Sequence, residues 1–434
     1  MIELSEQQEK ILSFGLPKMV VGSGVGSGKT IATLAMTKNA KTILIVMPKM
    51  LKEERTWETN VEKMGGHEAN IITISKEQFK KHLQYLPPAD TLILDEFGSW
   101  ACGVSPTLRT KNKMEYIHSS QIHDSLMWYI KKHNPTQIYL LDATATATKP
   151  MTLWATRRLL GKLNNTISEM TSFKRFRSMF YFPYQKGYNT LYLEKKDNKS
   201  KELLSTYWKD LGVFFETDTI KEIEQTIDLP LHPHQTEILA EIDELYSDPL
   251  VIRQRHFMAL NGSYSKTEFD TYNHTTKREV VNVNTHKEHW ILFWVKKEKK
   301  QAIVFATFTA QINSINKLLN DEGIKSDTIT GKTKNKSEIA QKFRDKELQV
   351  IVVQSSICAG WEAPYCDTII RASMPIRADF AIQQAGRINR PHIIKKQNYI
   401  YNLIIRETVD EEAYDIIKRG EDIHFMTLEI EDDE

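Results

Sequence analysis

The run Ser23-Gly-Val-Gly-Ser-Gly-Lys-Thr30 is built to hold a polyphosphate. Gly24, Gly26 and Gly28 permit backbone torsions that a side chain forbids, so the N–H groups around Ser23 and Ser27 can converge on phosphate oxygens. A helix opening near Gly28 adds its positive N-terminal end. Lys29 would neutralise the outer phosphates, and Thr30 would ligate Mg2+. A plain Gly/Ser turn would have no need of the Gly-Lys-Thr that closes this run. Asp95-Glu96 follows an apolar run, which puts two carboxylates at the C-terminal end of a strand. There Asp95 would hold Mg2+ and Glu96 would position or deprotonate the attacking water. Alone, such a pair is more often a helix cap or a surface pair; the loop upstream favours chemistry. Much later comes Gln383-Gln-Ala-Gly-Arg-Ile-Asn-Arg390. Its Arg387 and Arg390, three apart on an expected helix, share one face and could spread charge over phosphates in a transition state. In isolation they would be a solvated basic face. Taken together, the three sets point to ATP and Mg2+ held by one part of the chain and met by arginines from another.

Those residues need strands and helices to hold them. Lys18 to Val21, Thr42 to Met47, Ile71 to Ile74, Thr91 to Leu94 and Gln137 to Leu141 read as buried strands separated by helices. Strands apolar on both faces imply a parallel sheet covered on both sides. A second alternation begins near residue 283, with strands expected at 302–305, 326–329, 349–353, 367–370 and 399–404. The stretch 166–282 lacks this rhythm and reads as a mainly helical bridge or insert. The expected architecture is α/β, with lobes at 1–165 and 283–434 joined by that bridge.

Composition narrows the function classes. At 434 residues the chain is too long for one ordinary core. No apolar run reaches membrane-span length, and Met1 leads straight into polar, acidic sequence with no signal peptide visible. Cys102, Cys358 and Cys366 have neither disulfide-framework nor zinc spacing, which suits a reducing cytoplasm. His232 and His234 flank a proline with nothing nearby to complete a metal site; His118, His123, Trp290 and Trp294 read as packing or surface residues. Net charge is only +2, yet Phe173 to Lys201 carries eight Lys or Arg against Glu194 and Asp197. Such a stripe can bind nucleic acid without a basic total.

These motifs, in this order, resemble those of superfamily-two helicases and translocases, which have two RecA-like lobes. Leu4-Ser-Glu-Gln-Gln8 resembles the glutamine motif, in which the residue at Gln8 reads adenine. The phosphate loop matches with Ser23 in place of alanine. Val46-Met-Pro-Lys-Met50 is similar to a motif lying along the nucleic-acid backbone, which makes Pro48 and Lys49 candidate contacts. Asp95-Glu-Phe-Gly98 stands for the DExx box, with Phe97 and Gly98 replacing its usual third and fourth residues. Leu141-Asp-Ala-Thr144 resembles the Ser-Ala-Thr coupling motif, with Asp142 for its first residue and Thr144 kept. Gly360-Trp-Glu362 resembles the motif whose acid meets the ribose. Gln383, Gly386, Arg387 and Arg390 match the last motif without departure.

Trp57, the stretch Ser172 to Tyr188, and Ile227-Asp-Leu-Pro-Leu-His-Pro-His-Gln235 look like Swi/Snf-type translocases of double-stranded DNA. The compact chain also resembles phage branch-migration helicases. The resemblance implies an ATP-dependent motor that remodels DNA forks or junctions, as in replication, recombination and repair. It would act as a monomer in a bacterial or phage-infected cytoplasm. Lys174, Arg175, Arg177, Thr307 and Phe308 are further candidate nucleic-acid contacts. The aromatics of 173–188 either stack on bases or pack on the first lobe, and Asn112 and Lys113 fall in an expected loop. An RNA helicase, or an ATP-dependent switch that clamps DNA without travelling, are the alternatives.

Overall fold

Thr42–Met47 after its first residue, and Ala302–Ala306 throughout, are apolar because helices cover both faces of the sheets they join. The computed structural model describes residues 4–24, 27–111, 114–142, 149–161, 169–186, 189–195, 197–215, 220–270, 275–357, 361–389 and 397–424. The chain divides into two units, Met1–Thr217 and Asp218–Glu434. Among the described residues no helix is long and apolar enough to cross a membrane.

The first unit contains β1 (Lys18–Ser23), β2 (Thr42–Met47), β3 (Asn70–Ser75), β4 (Thr91–Asp95), β5 (Val104–Lys111), β6 (Met114–Ser119), β7 (Gln137–Asp142), β8 (Tyr181–Lys186), β9 (Asn189–Glu194) and β10 (Gly212–Phe215). Six of these form a parallel sheet in the order β10-β1-β7-β4-β2-β3. Strand alternation divides its core. Met19, Val21, Ile43, Ile45 and Leu141 face Ile11, Leu34 and Trp57. Val20, Leu44, Leu92, Leu94 and Leu140 face Leu126, Trp154 and Phe173. Each such aliphatic side chain contributes about 1.5–3 kcal/mol by leaving water. Two antiparallel hairpins, β5–β6 and β8–β9, stand outside the sheet.

The second unit contains β11 (Glu222–Leu229), β12 (Ser263–Asp270), β13 (Thr275–Asn282), β14 (Ala302–Ala306), β15 (Ser326–Ile329), β16 (Val350–Gln354), β17 (Thr368–Arg371) and β18 (Asn398–Ile405). Its parallel sheet runs β11-β18-β17-β14-β16-β15. β12 and β13 pair as a separate hairpin.

The stretch read as a mainly helical bridge is thus divided between the units. Its strand β10 pairs with β1 and completes the first sheet, and its strand β11 pairs with β18 and completes the second. Close packing enforces the first pairing: a Cβ on Gly212 would lie 1.9 Å from the Val20 carbonyl oxygen. The segment after Asp95-Glu96, read as a loop at Asn112 and Lys113, is flanked by the paired strands β5 and β6; both residues lie outside the described ones.

Candidate functional site

Three adjacent strands of the first sheet end together. β1 ends at Ser23, β7 at Asp142 and β4 at Asp95, with Gly22 opposite Asp142 and Asp95 opposite Leu141. Ligands bind at this carboxyl edge in open α/β sheets. The phosphate loop leaves β1 here and enters the helix Lys29–Met36. Gly28, at φ 77°, is the turn into that helix, a conformation that favours glycine. A Cβ there would also lie 2.2 Å from Nε2 of Gln8. Ser23 and Ser27, both buried, join through their hydroxyls at 2.5 Å and brace the loop. This gives the serine standing in place of alanine a local purpose. Lys29 donates to the Ser23 carbonyl at 3.2 Å, so its ammonium is curled over the loop. Thr30 lies in the first turn of the helix, and Gly26 falls outside the described residues.

Gln8 is buried and bridges two elements. Its Oε1 accepts from the Ser5 N–H at 2.8 Å and its Nε2 donates to the Gly28 carbonyl at 3.3 Å. The first bond completes a capping box on the helix Glu6–Phe14; the second ties that helix to the loop.

Asp95 is held on every side. Oδ2 accepts from Trp57 Nε1 at 2.9 Å, Oδ1 accepts from the Glu96 N–H at 3.0 Å, and its carbonyl accepts from Trp100 Nε1 at 3.0 Å. Burial, reinforced by the Glu96 carboxylate, pushes its carboxyl up to about 6, against the opposing pull of Lys29 and Trp57. A buried carboxylate with a second one beside it favours an added cation. Among the described residues no group of three or more His, Cys, Asp or Glu could hold a metal alone. Asp95, buried beside Glu96 at the edge where the phosphate loop opens, would suit Mg2+ that takes the rest of its shell from phosphates and water. Glu96 has the left-handed φ of 52°, unusual for a residue with a side chain. Trp100 and the role of Trp57, noted in the sequence only for its resemblance, were not legible there: Trp57 stands 38 positions from Asp95, and no local pattern links them.

Asp142 departs from the Ser or Thr of the resembling motif, and the structure shows its partner. Its Oδ2 accepts from the Gly98 N–H at 2.8 Å. Thr144 lies outside the described residues.

In the second unit the helix Ala378–Ala385 ends before Arg387, which follows it in a turn; Arg390, expected on the same helical face, lies outside the described residues. The N–H groups of Arg387 and Ile388 turn tightly onto the carbonyls of Gln384 and Ala385, while the Arg387 carbonyl accepts from Ala363 at 3.1 Å. Ile388 is fully buried, and the Asn389 N–H shares the Ala385 carbonyl with it at 3.3 Å. Arg387 is buried, not a solvated face; it donates to the carbonyls of Gln383 (3.1 Å) and Trp361. Arg390 and Gly360 lie outside the described residues, and Glu362 is exposed. Gln383 is buried in the same helix. Arg371, missed by sequence reasoning, pins that helix from β17 by donating to Gln384 at 3.0 Å and to the Ala381 carbonyl at 2.8 Å.

The nucleic-acid candidates differ in how free they are. Pro48 caps the helix Lys49–Glu53, and exposed Lys49 pairs with Glu53 at 3.4 Å. Lys174 pairs with Glu115, and Arg175 is exposed. Arg177 lies 3.7 Å over the Tyr192 ring and donates to the Pro106 carbonyl. Phe173, Phe176, Phe180 and Tyr181 are buried in the first core. Thr307 donates its hydroxyl to the Met374 carbonyl at 2.8 Å, and Phe308 packs edge-on to Phe257 at 5.8 Å. His123 is core, His232 caps the helix Pro233–Leu245, and Trp290 and Trp294 both meet Tyr401.

Comparison with known proteins finds likenesses in part of the sequence and in the fold. Residues 285–392 match the helicase conserved C-terminal domain. Over 98% of its length the chain superposes on 88% of yeast Dbp5 bound to RNA and ADP BeF3, with TM-score 0.55 and 12% identity. The chain has a fold of two RecA-like lobes. A single-substitution variant of the same Saccharomyces cerevisiae protein, bound to the same ligands, superposes with TM-score 0.54. In sequence, 141 residues (32% of this helicase-fold chain) are 28% identical to Saccharomyces cerevisiae IRC3, a candidate ATP-dependent helicase. That match spans one fifth (20%) of the length of IRC3.

Proposed function

We propose that the protein is a nucleic-acid-stimulated ATPase that translocates on double-stranded or branched DNA and remodels forks or junctions. The observation that carries the ATPase reading is the meeting of Lys29, Asp95 and Glu96 at one sheet edge, with Asp95 fixed by Trp57. Mg2+-ATP, when bound, supplies the phosphoanhydride whose cleavage drives the cycle. Lys29 leaves the Ser23 carbonyl to neutralise phosphate charge, together with the loop N–H groups. Thr30 and Asp95 hold the metal. Glu96 orients the attacking water and accepts its proton. Arg387 and Arg390 supply cationic charge from the second unit during turnover, and Glu362 serves the ribose. Gln8 reads the adenine edge after exchanging one of its present bonds. Alternate grip and release by the two units turns each hydrolysis into a step.

The DNA preference rests on Asp95-Glu-Phe-Gly98, which is not a DEAD box, and on the Swi/Snf-like segment 227–235. RNA is the second reading, because the solved Dbp5 complexes hold RNA. Displacement of a third strand from a DNA triplex tests movement. ATP-dependent displacement is the expected result. ATP hydrolysis on duplex without displacement would favour a clamp that does not travel.

A further inference from the structure

The hairpin β8–β9 has two different faces. Tyr181 is buried at its base, and Tyr192 packs on the first core beneath the Arg177 guanidinium. The other face is apolar and open. Phe182 is opposite Leu193 and Tyr184 is opposite Leu191, so strand alternation places all four together. They are 57%, 54%, 51% and 39% exposed respectively. Four large apolar side chains side by side in water mark an interaction surface rather than scattered exposure.

Charge selects the occupant. The segment Phe173 to Lys201 carries eight cations against two carboxylates, and six cations remain once Lys174, paired with Glu115, and Arg177, turned onto Tyr192 and the Pro106 carbonyl, are set aside. One of those carboxylates, Asp197, is committed to capping the helix that follows, through Ser200. The Lys195 ammonium lies 4.8 Å from the Phe182 ring centroid, at the border of the open face. Arg175 is exposed on the helix that leads into the hairpin. Aromatic faces bordered by cations suit a strand whose bases stack on rings and whose phosphates meet ammonium and guanidinium groups. A duplex does not fit, because its bases already stack on each other.

We infer that the Phe182/Tyr184 face of this hairpin binds unpaired nucleic acid by stacking bases on its rings. The inference rests on the nucleic-acid reading above and adds a site for the single-stranded part of a substrate. The hairpin is also joined to the strand that follows the Asp95-Glu96 pair, since Arg177 bridges Tyr192 to the Pro106 carbonyl of β5.

The test uses the full chain with oligonucleotides carrying 2-aminopurine, as single-stranded DNA, single-stranded RNA and blunt duplex DNA. Phe182→Leu/Tyr184→Leu keeps apolar area and removes the rings; Phe182→Ala/Tyr184→Ala removes both. The parent should change 2-aminopurine fluorescence in a single strand. Each double variant should lose that change and bind single strands roughly tenfold weaker or more, with duplex affinity within about twofold of the parent. The DNA and RNA arms identify which strand the site takes. Parental single-strand binding by the leucine variant would overturn the stacking site. So would equal losses on single strand and duplex. If the parent binds no nucleic acid at all, the functional reading itself fails, a result distinct from unchanged binding in the variants.

Discussion

The carboxylate of Asp142 accepts a hydrogen bond from the backbone N–H of Gly98 at 2.8 Å, and a Cβ on Gly98 would lie 2.1 Å from that oxygen. The two departures from the family pattern therefore explain each other. An acid at the end of β7 reaches into the space that a side chain at the box's fourth position would fill. Gly98→Ala should displace Asp142 and destabilise the first unit by about 1–3 kcal/mol. Adding Asp142→Ser should recover much of that loss. A denaturation double-mutant cycle checks it, and strictly additive effects would contradict the coupling.

Trp57 acts on the metal site through Asp95. Trp57→Phe removes the donor to Oδ2 and leaves a buried oxygen short of a partner, at a cost of about 1–3 kcal/mol. The Trp57 bond also opposes the upward push on the Asp95 carboxyl, so its loss raises that group further. ATPase titrated against Mg2+ should show a higher half-saturating concentration. An unchanged Mg2+ curve would remove Trp57 from this role.

The catalytic assignments separate in kinetics. Lys29→Ala should abolish hydrolysis and weaken nucleotide binding. Glu96→Gln should keep ATP bound while slowing turnover by roughly 10²-fold or more. Arg387→Ala should slow turnover with ATP affinity retained. Because Arg387 also ties Gln383 to Trp361, a folding check by thermal unfolding accompanies that variant. Parental turnover in any folded member of the set contradicts its assignment.

His123 gives a pH dependence independent of nucleotide. Nδ1 donates to the Ala101 carbonyl at 2.8 Å, so Nε2 faces the Arg158 guanidinium as an acceptor. Burial, aided by the Arg158 charge, lowers its pKa to about 4. The unfolded chain takes up this proton near pH 6.5, while the folded one resists until about 4. Stability from this group is complete above 6.5 and lost as pH falls toward 4, on the order of 3 kcal/mol in all. Urea unfolding at pH 7 and pH 5 should show the loss in the parent and a reduced loss in His123→Asn. Equal pH slopes would contradict it.

What the sequence made legible was local. Thr42–Met47 and Val350–Gln354 form where apolar runs end in polar residues, and the phosphate loop and Asp95 follow strands of this readable kind. β11 was hidden because Glu222–Leu229 is a polar, half-exposed edge strand, and β10 because Gly212–Phe215 follows the helix Asn198–Lys209 directly and its partner β1 is nearly 200 positions away. The spacing of the arginine motif suggests a helix, but the described helix ends at Ala385 and the Arg387 carbonyl bonds instead to Ala363, a contact 24 positions away that no local pattern shows. The partners of Asp95 and Asp142 come from 38 and 44 positions away, a distance over which spacing carries no signal.

ATPase rate measured without nucleic acid and with single-stranded DNA, duplex DNA, a four-way junction and structured RNA, at two salt concentrations, tests the central claim most directly. Strong stimulation by duplex or junction DNA is expected, weaker at high salt because phosphate contacts dominate binding, and none in Lys29→Ala. Stimulation by RNA alone would contradict the DNA assignment, and no stimulation by any nucleic acid would contradict the motor.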